Sequence, residues 1–237
     1  MGRSLELLPE RGTDVRGVRI LPPPHARRRG DRGVETRTIR KEEGVKEIRY
    51  DLLGTAFVEE RIDYTGFELR SHFIRERTGI ATDGLIAFIG GCRVEGGALV
   101  DLEDSEAGDY IAAERMLHFI GEHFAVGARE GNLRLRLLVA IAGELIGGDA
   151  AGTAAERRGD DLFVEGRKLS VAISTVSAVS SLMHFGINID PAGAPVKAVG
   201  LDELGIDPER FARSVLERYG EECRSIETAL RKVRGVD

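Results

Sequence analysis

Long apolar runs are missing from this chain of 237 residues. None approaches the roughly 18–20 consecutive apolar positions of a membrane span, although 42% of the residues are hydrophobic. The N-terminus shows no apolar h-region of a secretory signal. Cysteine is scarce: Cys92 and Cys223 stand alone, too few for a disulfide framework, and read as free thiols in a reducing compartment. No Walker A loop, Rossmann glycine fingerprint or zinc-ligand spacing occurs anywhere. Membrane proteins, disulfide-stapled secreted domains, P-loop enzymes and zinc ribbons are thereby set aside. The expectation is a cytoplasmic globular protein with no membrane partner, with enough apolar residues for a sizeable core.

The formal charge of −6 is unevenly spread. Residues 1–40 carry ten arginines against five acids, leaving 24 basic and 35 acidic residues for the rest. An acidic body does not suit a protein that neutralises many phosphates on its folded surface, so bulk nucleic acid is not an expected partner. Residues 1–46 contain Leu21-Pro22-Pro23-Pro24, Arg27-Arg28-Arg29 and little apolar periodicity. They are expected to be a flexible basic extension, and residues 47–237 the folded domain.

Within that domain, Tyr50 to Glu60 reads as a strand interrupted at Gly54, and Thr65 or Gly66 as the cap of a helix carrying Phe67, Leu69, Phe73 and Ile74. Leu85 to Ile89 reads as a buried strand closed by Gly90-Gly91, and Ala98-Leu99-Val100 as another. Helices are expected from Ala112 to Phe124 and from Leu133 to Ile146. Asp161 to Val164, the Glu165-Gly166 turn and Arg167 to Thr175 form a hairpin pattern, followed by a strand from Ser180 to Ile189. Asp207-Pro208 is a helix start, after which Phe211, Val215, Tyr219, Cys223, Ile226, Leu230 and Val233 repeat every three or four residues as a core-facing stripe. Strands and helices mix without strict alternation. The fold expected is α+β, a mixed, mostly antiparallel sheet flanked by helices.

Strand alternation suggests a site. If Leu169, Val171 and Ile173 face the core, then Lys168, Ser170, Ala172 and Ser174 face away. Opposite Met183, Phe185 and Ile187 lie Leu182, His184, Gly186 and Asn188. Side by side, the two strands would set one lysine over a floor of small and polar groups, with room for a flat ligand carrying a phosphate or carboxylate. An ordinary surface lysine on a solvent-facing strand fits the same pattern.

The stretch Gly159 to Ser174, with Asp160-Asp161-Leu162-Phe163 and Gly166-Arg167-Lys168-Leu169 at its centre, together with Gly186-Ile187-Asn188, resembles the central motif of biotin and lipoate protein ligases. From about Arg61 onward the chain is similar to an archaeal family of unknown function grouped with that superfamily, whose core is the class II aminoacyl-tRNA synthetase fold. That likeness is carried by Glu60 to Gly66, Leu69 to His72, Phe88 to Val94, Asp101 to Asp104 and Met116 to Phe119. The resemblance implies a biotin/lipoate-ligase-like core that binds a small carboxylic acid, adenylates it with ATP and Mg²⁺, and passes it to an acceptor carrier protein. It assigns Lys168 to the acyl group and adenylate phosphate, where an ammonium would stabilise developing charge, and matches Asp161 and Asn188 to motif positions. Ser170 and His184 would complete the surroundings. The chain departs from the pattern at Asp160, at Ser170-Val171, and in having only Gly90-Gly91-Cys92-Arg93 where the ligases carry a glycine- and arginine-rich adenylate loop. A non-catalytic binding or regulatory module on the same fold is the alternative, and an RNA-associated accessory protein a third.

Other polar groups have two readings each. Arg61, Asp63, Arg70, His72 and Arg93 could meet an anionic substrate, or be solvated. Asp101, Glu103 and Asp104 could hold Mg²⁺, with Asp101 and Asp104 the candidate ligands, or cap a helix. Glu114, His118 and Glu122 recur every four residues, as metal ligands or as ordinary side-chain pairs. Cys92 could be a nucleophile if His72 or His184 served as its base.

Overall fold

The computed structural model describes residues 37–39, 45–50, 53–149 and 154–236. The expected flexible extension falls outside the described residues except for strand β1 (Arg37–Ile39) and the first two residues of β2 (Val45–Tyr50). There follow β3 (Leu53–Val58), α1 (Phe73–Thr78), β4 (Asp83–Glu95), α2 (Leu102–Ala107), β5 (Tyr110–Phe124) and α3 (Ala128–Asp149). The chain continues through β6 (Glu156–Arg158), β7 (Asp161–Val164), β8 (Arg167–Lys168), β9 (Ser170–Val176), β10 (Ser180–Asp190) and α4 (Pro208–Arg231). Seven strands form one sheet in the order β1-β2-β3-β4-β5-β10-β9, and β6-β7-β8 form a second. Among the described strand pairs β3 and β4 alone run parallel; the other pairs in both sheets are antiparallel. The mixed, mostly antiparallel α+β architecture read from the sequence is the one found.

The large sheet separates two apolar cores. On one face Leu85, Leu117, Phe119, Phe185 and Ile187 pack against α3 and the first half of α4. On the other, Ile86, Phe88, Met116 and Ile120 are covered by residues 62–80, including Leu69, Phe73 and Ile74. A sheet covered on both faces loses the alternation that would mark its strands.

That loss explains the main correction. Residues 112–124, expected as a helix, are the core of β5, paired with β4 on one side and β10 on the other. Because Met116 to His123 are buried on both faces, the apolar pattern there has no period to read. Gly90-Gly91 does not close the preceding strand either; β4 runs on to Glu95 with a register shift between Gly90 and Cys92. Ala98 ends a 3-10 turn, so no strand forms at 98–100. The helix expected from Thr65 begins only at Phe73: Glu68 instead accepts the Thr65 N–H at 2.7 Å and closes a turn. The strand from Ser180, α3 and α4 stand where the sequence put them, with the Asp207 carboxylate accepting from the Arg210 N–H at 2.7 Å as the N-cap. Of the hairpin, Asp161–Val164 and the turn stand, but the second strand, expected unbroken from Arg167 to Thr175, splits at Leu169 into β8 of the small sheet and β9 of the large one. The stripe on α4 is buried from Phe211 to Cys223, whereas Ile226 and Leu230 are exposed.

Candidate functional site

Lys168 sits where one strand becomes two. The chain pairs with β7 as β8, then at Leu169 leaves the small sheet and enters the large one as β9. The crossing is held by backbone bonds: the Leu169 N–H donates to the Leu162 carbonyl at 2.8 Å, and the Asn188 N–H to the Leu169 carbonyl at 2.9 Å. On the other side the Lys168 N–H donates to the Lys197 carbonyl at 2.9 Å, and the Val199 N–H to the Lys168 carbonyl at 3.1 Å. This fixes the lysine backbone on all sides.

The Lys168 ammonium lies 2.8 Å from Asp161 Oδ2, with the side chains 29% and 27% exposed. Burial raises the Asp161 carboxyl above its ordinary range, opposed by the lysine and reinforced by Asp160 and Asp104. Burial and the neighbouring Asp101 and Asp109 likewise raise Asp104, which also feels Lys168. Asn188 completes the corner, its Nδ2 donating to the Lys168 carbonyl at 3.3 Å. Lys168, Asp161 and Asp104 therefore share one neighbourhood, with Asn188 bonded to the lysine's carbonyl: a partly exposed ammonium on a rigid backbone, beside carboxyls that burial raises above their ordinary range.

The remaining predicted residues lie elsewhere. The Ser170 hydroxyl is buried and accepts from the Leu162 N–H at 2.8 Å, serving the sheet crossing. Ser170, Ala172 and Ser174 oppose Ile187, Phe185 and Met183, so the small residues turn toward the helices; Ser174 meets Asn132 of α3 at 3.1 Å. His184 instead shares its face with Ile173 and is buried against Tyr64, whose ring stacks on it at 3.7 Å between centroids. The floor expected beneath the lysine is split between the two faces of the sheet. Arg70 is bonded to Glu76 at 2.8 Å, and Arg93 to Glu95 at 2.9 Å over the Tyr110 ring. Asp101 caps α2, its Oδ1 accepting from the N–H groups of Glu103 and Asp104 at 2.8 and 3.2 Å, which is the capping alternative rather than a metal ligand. Among the described residues no group of His, Cys, Asp and Glu side chains is arranged to hold a metal ion.

Glu114, His118 and Glu122 do not act together. Glu114 is exposed. Glu122 is buried, accepting from the His72 N–H at 3.0 Å and the Ser180 hydroxyl at 2.7 Å. His118 Nδ1 lies 3.1 Å from His184 Nε2, and its Nε2 has no hydrogen-bond partner. Burial pulls His118 down to about 3, opposed by the carbonyls of Gly91 and Gly90 and by Asp63; burial and His118 together pull His184 well below its ordinary value. Burial pushes the Cys92 thiol up to about 12, with Glu68 adding to it, the reverse of an activated nucleophile. Sequence reasoning missed Tyr64 as the partner of His184, because nothing local to residue 64 reports its parallel bridge to Cys92.

The glycine pair nearest to an adenylate loop does not fit a triphosphate. A Cβ at Gly90 would run into the Ile62 carbonyl, and the Gly91 N–H is taken by Asp63 Oδ1 at 2.7 Å. These backbone groups serve the docking of residues 62–64 on β4 and offer no donors to phosphate.

The fold is that of an α+β protein, a mixed sheet with α3 and α4 packed on one face and a second, three-stranded sheet, and the chain can be assigned to a family. It belongs to the domain of unknown function family DUF366, matched over residues 53–234. An uncharacterised protein of Methanocaldococcus jannaschii is 35% identical over 189 residues, covering 77% of this chain and 85% of that protein. A solved structure of a protein of unknown function from Pyrococcus horikoshi is 39% identical and superposes with a TM-score of 0.74, over 78% of this chain and all of that one. Biotin protein ligase from Aquifex aeolicus in complex with biotin and ATP is 14% identical and superposes with a TM-score of 0.45, over 70% of this chain and 68% of that chain.

Proposed function

We propose that this protein binds a small carboxylic acid at the sheet crossing, with Lys168 as the cation that meets the carboxylate. One observation carries the reading: the Lys168 ammonium is held 2.8 Å from Asp161 on a backbone bonded on both sides, with over a quarter of its side chain still open to solvent. An ammonium has three donors, and Asp161 engages one. The raised carboxyls of Asp161 and Asp104 make proton uptake accompany arrival of an anion, so affinity strengthens as pH falls toward their titration. Asn188 holds the strand that carries the lysine. Asp101 supports this corner only through α2.

The motif around Lys168 also supports adenylation of the bound acid followed by transfer to a carrier protein, the chemistry the ligase resemblance implies. Against it stands the glycine pair, whose backbone is committed to residues 62–64. Binding without turnover is therefore the favoured form. The deciding experiment is calorimetric titration with octanoate, lipoate and biotin, with and without ATP and Mg²⁺, alongside a pyrophosphate-release assay. We expect one acid to bind with or without ATP, and Lys168→Ala to weaken it about tenfold or more, as loss of a charge-assisted contact does, while the melting temperature stays within about 2 °C. Absence of binding by every acid, or equal binding by Lys168→Ala, overturns the reading. Pyrophosphate release that depends on Lys168 replaces it with the adenylating one.

A further inference from the structure

A second site lies toward the opposite end of β5 from Asn188, whose partner there is Met116. A cavity of about 680 Å³ opens beside Asp83 and Phe124 and between α3 and the second half of α4. Its walls are apolar at Phe124, Leu133, Leu137 and Ile226, and its polar groups include Asp83 and Arg134.

The hydrogen bonds behind that wall settle which polar atoms are free. Asp83 Oδ1 accepts from the Phe124 N–H at 2.9 Å, and Oδ2 lies 3.0 Å from His123 Nδ1. Hydrogen bonds from His123 and Phe124 outweigh the effect of burial and hold this carboxyl below its ordinary range, so it is an acceptor only and Nδ1 must carry the hydrogen. His123 Nε2 is occupied by the Tyr219 hydroxyl at 3.1 Å. Arg134 Nη1 lies 3.3 Å from the same Nδ1. That contact sets donor against donor and cannot be a hydrogen bond. The Arg134 Nε and Nη2 both go to Glu130 Oε1, at 3.0 and 2.7 Å. Among the described residues Nη1 is thus a donor without an acceptor at the cavity wall. The Asp83 carboxylate, 26% exposed, keeps lone pairs toward the same space. Both atoms lie within 3.3 Å of one ring nitrogen, so donor and acceptor stand side by side.

From this juxtaposition we propose that the cavity is a binding site for an uncharged, apolar-bodied amide, whose carbonyl accepts from Arg134 Nη1 while its N–H donates to Asp83. An amide meets both atoms at once, giving an acceptor to Nη1 and a donor to Asp83. A carboxylate would meet Glu130 and Glu227, which also line the cavity, and an amine, although these carboxylates attract it, would leave Nη1 without an acceptor. An aromatic or aliphatic body fits the four apolar walls.

The test uses three ligands of one shape, benzamide, benzoate and benzylamine, titrated into the full chain by ligand-observed NMR. Benzamide is expected to saturate with a dissociation constant of about 1 mM, the scale for so small a ligand, and to bind at least about tenfold more tightly than either charged analogue. Arg134→Met should weaken it about tenfold. Ile226→Trp, a change at an exposed position of the cavity wall, should weaken binding by narrowing the apolar cleft while leaving Arg134 and Asp83 in place. Lys168→Ala should leave benzamide binding unchanged, which separates this site from the carboxylate corner. No saturation, equal binding of benzoate or benzylamine, or benzamide binding unchanged by both Arg134→Met and Ile226→Trp overturns the proposal.

Discussion

His118 and His184 form a pair in dry surroundings, their nitrogens 3.1 Å apart, with Tyr64 stacked on one ring and Phe88 on the other. Burial keeps both neutral, His118 down to about 3. In the unfolded chain each takes up a proton near pH 6.5. Between that value and the depressed folded ones, the unfolded state binds more protons, so stability is fully present above pH 6.5 and is lost as pH falls. Each histidine should remove about 1.4 kcal/mol per pH unit once the pH is below 6.5. Urea unfolding at pH 7 and pH 5 should show the loss, and His184→Leu should roughly halve its slope. Equal stability at the two pH values would mean that these rings titrate in the folded state. The same residues show where sequence reading stopped. Asp161 was placed near Lys168 only by the ligase resemblance; the hairpin turn Glu165-Gly166, which the sequence did show, is what brings their strands together. His184 and Ser170 were assigned to the lysine by alternation, which needs the register between β9 and β10. That register pairs Met183 with Ser174, and a shift of one residue sends every side chain to the other face.

At the scale of elements, the legible parts were those with a strong local signal: a capped helix at Asp207-Pro208, a hairpin turn, and an amphipathic stripe. β5 was illegible because both of its faces are buried, and its neighbours, not its own pattern, decide its structure. The docking of residues 62–64 on β4 was equally hidden, although its requirement is written at Gly90. The Ile62 N–H donates to Ile89 O at 3.3 Å and the Tyr64 N–H to Gly91 O at 2.8 Å. That approach leaves no room for a Cβ at residue 90, where the Ile62 carbonyl would be struck. At Gly91 the nearest obstacle to a Cβ is the Asp63 side chain at 3.3 Å, which can yield. Gly90→Ala should therefore cost about 2 kcal/mol or more, the scale of overpacking against backbone, and Gly91→Ala less than about 1 kcal/mol. Thermal unfolding of the two variants decides; equal losses would mean that this segment does not press on β4 as described.

At the scale of the molecule, no described helix is long and apolar enough to cross a membrane, and the family match begins at residue 53, with β3. All six residues of β3 are buried, and one of its edges pairs in parallel with β4 while the other pairs with β2. Residues 45–50 thus cover a strand edge that would otherwise present a row of unpaired N–H and C=O groups beside apolar side chains. Sequence composition put the start of the folded domain at about residue 47, inside β2, because polar and charged residues such as Lys46, Glu47 and Arg49 give this strand little apolar signal. Two truncations separate the contributions. A chain beginning at residue 37 keeps β1 and β2 and should remain as dispersed as the full chain. A chain beginning at residue 53 keeps the family-matched body and both apolar cores but bares the β3 edge, and should self-associate through strand addition. Light scattering coupled to size-exclusion chromatography reads the difference. A monomeric chain from residue 53 with an unchanged melting temperature would show that β2 does not guard that edge, and would move the start of the folded domain from about residue 47 to β3 itself.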